Sequence, residues 1–304
     1  MSVFSNFTIL NFTRETCSAA YRGVNGEFRG KALNTALTLI ASMGYSYLFQ
    51  NLTETKYCRF RAVLGGFEDK LKYARMCNKE KAEGGDLFES RAFYEKIAKL
   101  NLKGVPEQSK SDYVNALSQY ADMSYKGVGG DRNPEEARAT FKKIADINFE
   151  SLPKGCKESA LLALYMFSFM SYKGLGGRKE MKVAREGYKR LASLERGAFS
   201  EQFKYLSILS QAMYALMCYR GQGGEKDAFE QRIYCEKVAM IDENEIPESL
   251  KTIYGINLYA YGNLLYYGKG GPEDKLKASE YFFRAGNLGD ENVALVIKKL
   301  QDST

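Results

Sequence analysis

At 304 residues, with 45% apolar and 13% aromatic side chains, the chain has the material for a continuous core supplied by 22 Tyr and 18 Phe without any Trp. It contains no histidine, which removes Ser-His-Asp and Cys-His catalysis, imidazole metal sites and the usual near-neutral proton donor. The formal charge of +7 arises from interspersed basic and acidic residues, which read as a solvated surface and not as a nucleic-acid footprint. Its six cysteines form no CxxC pair, so buried free thiols in a reducing compartment are expected and a metal knuckle is not.

The N-terminal stretch MSVFSNFTILNFTRETC has apolar Phe4, Phe7, Ile9, Leu10 and Phe12 but neither a basic n-region nor a small-residue cleavage site. A cytoplasmic location is therefore expected, with export by a signal-independent route as the alternative. No apolar run approaches the roughly 20 residues that a membrane helix needs. Residues 21–41 read as a diverged turn-and-helix unit. A helix near 45–62 has no clear partner, GGFEDKLKYA (65–74) echoes GGPEDKLKAS (270–279), and AEGGDLFESRAFYEKIA (82–98) reads as a turn followed by a second helix.

From about 110 to 300 the organisation is periodic. YKGVGG, YKGLGG, YRGQGG and YYGKGG begin at Tyr125, Tyr172, Tyr219 and Tyr266, each tyrosine 47 residues after the last. A fixed period of this size points to a stacked repeat array. Five residues before each tyrosine stand Tyr120, Phe167, Tyr214 and Tyr261, followed by the small residues Ala121, Ser168, Ala215 and Gly262. Large and small residues at matching places on successive helices let neighbours approach closely. The glycines end that first helix and permit the positive φ of a tight reversal. Runs such as DRNPEEA (131–137) and PEDKLKA (272–278) then suit a second helix N-terminus. Ala137, Ala184 and Ala278, twelve residues after the tyrosine, and Phe141, Tyr188, Cys235 and Phe282, sixteen after it, share one stripe of that second helix. Glycine-rich turns can also cradle anions, but a setting inside a helix pair makes these glycines hinges.

The repeating unit resembles the Sel-one-like repeats (SLR), relatives of the tetratricopeptide repeats. The last unit carries the resemblance in Gly262, Tyr266, Gly268, Gly270, Lys277, Ala278, Tyr281, Phe282, Ala285 and Gly286, followed by GDENVAL. It departs from the family in Gly130, Gly177, Gly224 and Gly271, where an apolar residue is usual, and in its longer period. The resemblance implies an all-α, right-handed α-solenoid of stacked antiparallel helix pairs. One solenoid is expected over 1–304, with clear repeats over about 110–300 and diverged repeats or a cap over 1–109.

The same resemblance implies a non-enzymatic scaffold or adaptor that holds a partner polypeptide against a concave surface of first helices, with no catalytic residue, metal or cofactor. Mapped onto this spacing, the candidate partner-binding residues are Asp122 and Lys126, then Tyr165, Phe169, Tyr172 and Lys173, then Ala212, Leu216, Tyr219 and Arg220, then Tyr259, Asn263 and Tyr267, with Leu162 and Leu209 beside them. Aromatics beside cations suit a partly apolar peptide carrying acidic residues. The same apolar residues would serve equally well as packing between units. A secreted or host-directed virulence protein of the same fold is an alternative, and a β-lactamase-like enzyme a lesser one, since the chain has no histidine and no acidic cluster at metal spacing. Cys218 and Cys235 fall on adjacent helices of one unit, where some bacterial family members carry a bridge. A single such pair in the array favours free thiols.

Overall fold

The computed structural model describes residues 54–79, 86–102, 105–148, 152–194 and 200–288. The candidate unit at 21–41 and the closing GDENVAL segment lie outside them. The described residues form eleven α-helices: α1 (Glu54–Leu64), α2 (Phe67–Lys79), α3 (Leu87–Ala98), α4 (Lys110–Lys126), α5 (Pro134–Ala145), α6 (Lys154–Lys173), α7 (Met181–Ala192), α8 (Glu201–Arg220), α9 (Ala228–Ala239), α10 (Lys251–Tyr266) and α11 (Lys275–Asn287). Among the described residues there is no strand. The contacts divide the chain into two compact units, 1–140 and 141–304, with the division inside α5. In the first unit α1 packs on α2, α2 on α3 and α3 on α4. In the second, α6 to α11 pack in sequence order, and the first helices α6, α8 and α10 also touch one another. First helices of 20 residues in α6 and α8 account for much of the long period.

The glycine phrase is the same object each time. Its first glycine closes the helix in the left-handed region, at φ 77° in Gly127, 74° in Gly174, 66° in Gly221 and 60° in Gly268. The next amide reaches back five residues: Val128 N–H donates to Met123 O, Leu175 to Met170 and Gln222 to Met217 at 2.9, 2.9 and 3.0 Å, a Schellman ending. The residue that opens the second helix then donates its N–H to the carbonyl just before the leading tyrosine. Asn133 donates to Ser124, Glu180 to Ser171, Asp227 to Cys218 and Asp274 to Leu265, at 2.8, 2.9, 3.1 and 2.9 Å. The same opening residue usually caps its helix. Asp227 accepts from Glu230 N–H and Asp274 from Lys277 N–H, both at 2.9 Å.

The second glycine joins one pair to the next. A Cβ on Gly129 would overlap the carbonyl of Leu87, on Gly223 that of Met181, and on Gly270 that of Ala228. Each of those carbonyls belongs to the first residue of the preceding second helix. One turn further along that helix stands an arginine that the sequence repeats at the same 47-residue period, Arg91, Arg138, Arg185 and Arg232. Arg91 Nη1 donates to Asp131 O and Arg185 Nη1 to Glu225 O, both at 2.8 Å. The guanidinium thus clips the turn of the following pair.

Inside the pairs, aromatics at matching places on the two helices meet edge-on: Tyr73 with Phe93 at 4.9 Å, Tyr214 with Tyr234 at 4.9 Å and Tyr261 with Tyr281 at 4.8 Å. Tyr73 and Ala74 stand 47 residues before Tyr120 and Ala121. The period therefore reaches back to α2, which is the first helix of its pair with α3. The echo between 65–74 and 270–279 is local, because α11 starts a second helix and α2 a first one. The described part of the unpartnered segment near 45–62 is α1, and its partner is α2.

Two predictions follow from these contacts. Gly223→Ala should lower stability by about 2 kcal/mol or more, since φ is 76° there and the new methyl meets backbone. Gly286→Ala, inside α11 with nothing within 4 Å, should be neutral or stabilising by up to about 1 kcal/mol; urea denaturation followed by helical circular dichroism reads both. The phenols of Tyr73, Tyr188, Tyr214 and Tyr261 are pushed well above the ordinary 10.0, by burial first, and for Tyr73, Tyr214 and Tyr261 next by hydrogen bonds to Glu89, Glu230 and Glu236. A raised folded pKa leaves stability intact below pH 10 and erodes it above, where the unfolded chain ionises first. Tyrosinate absorbance from these side chains should therefore rise together with the loss of helical signal.

Candidate functional site

On a helix, positions 10, 6 and 3 before the leading tyrosine and the one after it lie within about 60° of one another and form a single stripe. Across α6, α8 and α10 this stripe reads Leu162, Leu209 and Ile256; then Met166, Met213 and Ala260; then Phe169, Leu216 and Asn263; then Lys173, Arg220 and Tyr267. Every one of these side chains is exposed or half-buried. Leu162 is 42% exposed, Tyr267 56%, and Tyr205, one turn before Leu209, 37%. The result is a broad apolar face on three neighbouring first helices, with charge only at the turn end.

The corresponding stripe of α4 has a different chemistry. It runs Asn115, Gln119, Asp122 and Lys126, and the last two pair with each other at 2.8 Å. Asp122 and Lys126 thus belong to a polar, internally neutralised helix surface of the first unit. The apolar face belongs to α6, α8 and α10.

At position seven before the leading tyrosine the row turns inward in α8 and α10. Ala212 and Tyr259 are each 7% exposed. Tyr165 is half-buried, with its ring 6.0 Å from that of the fully buried Tyr188, and Tyr259 lies 5.3 Å from Phe282. Both contacts join position −7 of the first helix to position +16 of the second, so this row packs the pair internally. Tyr165, Tyr172, Leu209, Met213 and Ala260 are partly buried and pack against the core of the second unit. Position −6, occupied by Met166 and Met213, is half-buried and recurs with the same 47-residue period. Methionine on a partly exposed stripe adapts to varied partner surfaces.

The leading tyrosines divide. Tyr125 and Tyr172 are half-buried, whereas Tyr219 is 48% and Tyr266 41% exposed. Tyr266 and Tyr267 stack edge-on at 5.0 Å, with Lys275 Nζ 5.5 Å over the first ring and Lys269 Nζ 5.3 Å over the second.

The five described cysteines are buried, and none is in a disulfide. Arg185 Nη2 donates to Cys218 Sγ at 3.4 Å, and Cys235 Sγ donates to Asn257 Oδ1 at 3.8 Å. Burial raises the Cys218 thiol, and burial followed by the neighbouring Cys218 pushes Cys235 up to about 12. Neither has the low-pKa, exposed setting of a reactive nucleophile. Among the described residues no group of three or more Cys, Asp or Glu could hold a metal, and no helix is long and apolar enough to cross a membrane.

These features define a tandem helix-pair repeat protein with an apolar first-helix face. Its fold is similar to that of a Sel1 repeat protein from Oxalobacter formigenes, at 16% identity over 86% of this chain and 87% of the other, with a TM-score of 0.48. It is also similar to c5321, a protective antigen of uropathogenic Escherichia coli strains displaying an SLR fold, at 18% identity over 92% and 60% of the two chains and a TM-score of 0.37. No protein-family model and no curated protein matches the chain. The repeat architecture rests on the chain's own period and packing.

The thiol environment sets a direct expectation. Of six cysteines in the sequence, five are buried, which leaves Cys17. At pH 8 the native protein should react with at most one equivalent of an aromatic disulfide reagent, and the denatured, unreduced protein with six.

Proposed function

We propose that this chain is a non-enzymatic interaction module that binds a partner polypeptide on the first-helix face of α6, α8 and α10. The observation that carries the reading is the uncharged, partly exposed stripe from Leu162, Leu209 and Ile256 to Phe169, Leu216 and Asn263. A monomeric protein seldom leaves contiguous apolar rows of this extent to water unless something covers them. Position −3 supports the same reading. Phe169 and Leu216 recur there beside exposed cations, whereas the buried −7, −5 and −4 positions suffice to close each helix pair.

A scaffold role is also consistent with a chain that has no histidine. Burial raises the Tyr188 phenol and pushes the Cys235 thiol up to about 12, away from the near-neutral range that proton transfer requires.

The double substitution Phe169→Ala, Leu216→Ala tests the reading. In-cell crosslinking followed by mass spectrometry should show loss of captured partners, while the helical signal at 25 °C is retained and stability falls by only about 1–2 kcal/mol. An unchanged set of partners would sink the proposal. Loss of helicity would assign the two side chains to the core.

A further inference from the structure

The charge on the first-helix face lies at one end. Three stretches of the second unit run from within the first helix to just past the turn: 159–177, 205–224 and 252–272. Each holds a single charged residue, respectively Lys173, Arg220 and Lys269, while the place that Tyr205 and Thr252 fill at the far end of α8 and α10 is taken in α6 by the exposed Glu158. All three are cations, and all three sit at the glycine-turn end of their stretch. Lys173 and Arg220 are exposed. Lys173 Nζ has only the Tyr172 ring beneath it, at 5.8 Å, and among the described residues neither cation is in an ion pair.

Three other cations on the first helices are matched by a carboxylate. Lys126 pairs with Asp122, Lys110 with Glu107 and Lys251 with Glu248. Lys173 and Arg220 are thus the places on this surface where positive charge adjoins an apolar stripe with no carboxylate of its own.

Resting on the reading above, we infer that the partner segment is apolar and uncharged along most of its length and carries acidic side chains at one end, which lies over Lys173 and Arg220 at the glycine-turn edge. The stripe from Tyr205 to Arg220 covers sixteen residues of helix, or about 22 Å from first to last. About four turns of partner helix, or some seven extended residues, span it. The apolar side chains are mostly half-buried between neighbouring helices, a surface that receives individual side chains better than a flat bilayer interface. Three cations also fall short of the 4–8 clustered basic residues that hold a protein to anionic lipid. Matching charge at the end of such a face fixes orientation and rejects wrong partners more than it adds raw affinity.

The experiment uses the full chain and a displayed library of random peptides of about twelve residues, a length that covers most of the stripe. Selected peptides should share an apolar run with Asp or Glu clustered at one end. The leading peptide, labelled with fluorescein, is then titrated by anisotropy against the parent and against Lys173→Glu, Arg220→Glu, whose exposed positions keep the fold while an acid in the last turn of each helix lowers the melting point by a few degrees at most. Binding should weaken at least about tenfold, and a peptide with lysine in place of its acidic residues should recover on the charge-reversed chain. If that chain binds the acidic peptide as well as the parent does, the acidic-end inference is overturned. If binding in that case still falls with Phe169→Ala, Leu216→Ala, the apolar face stands. Binding that ignores both pairs of substitutions removes the face as well. Selection of no peptide, together with charge-dependent sedimentation on phosphatidylserine vesicles, would overturn the inference in favour of a lipid surface.

Discussion

The rest of the architecture depends on the closure of each glycine turn against two neighbours at once. Within a pair, the amide that opens the second helix is held by the carbonyl before the leading tyrosine, at 2.8 to 3.1 Å in all four copies. Between pairs, the second glycine sits so close to the first carbonyl of the preceding second helix that a methyl group would overlap it at Gly129, Gly223 and Gly270. Backbone meets backbone at these junctions. Side chains can then vary along the helices while the angle and spacing of the pairs are kept, which is how repeat proteins keep one geometry with divergent surfaces.

Pinning the helix ends in this way sorts the remaining positions. Rows −7, −5 and −4 of the first helix are turned toward the second helix and become aromatic-on-aromatic or small-residue contacts. Gly262 shows the limiting case, because a Cβ there would run into the Phe282 ring. Rows −10, −6, −3 and +1 are left on the open side. Their chemistry differs between Asn115, Gln119, Asp122 and Lys126 on α4 and the apolar sets on α6, α8 and α10. One backbone template therefore carries two kinds of surface, and binding is proposed for the apolar one.

The repeated arginine extends the junction beyond the glycines. Arg91 and Arg185 each span 40 residues of sequence to reach a carbonyl in the following turn. The series stops after Arg232, whose Nη1 has no hydrogen-bond partner among the described residues, and Ser279 occupies the next position. Leu276 at 86% and Phe283 at 69% exposure lie on that last described helix. The final described pair thus keeps the backbone junction, Gly270 against the Ala228 carbonyl, without the arginine hydrogen bond seen at Arg91 and Arg185.

The period, the helix pairs and the turn hinges were legible in the sequence, because glycine with positive φ and a large-small alternation leave marks that need no partner to interpret. The apolar and charged residues of the candidate face were also visible as residue types at fixed offsets. Which of them face outward was not. Placing −7 in place of −6 on the stripe buried Ala212 and Tyr259 and overlooked Met166 and Met213, since a helix row shifts by 100° per residue and only the second helix packed beside it decides which side is covered. The pairing of Asp122 with Lys126 and the role of the arginine series likewise needed tertiary structure. Residues 40 apart are brought into hydrogen-bonding distance by helix packing, and periodicity alone does not say whether a recurring cation faces solvent, a partner or the next turn.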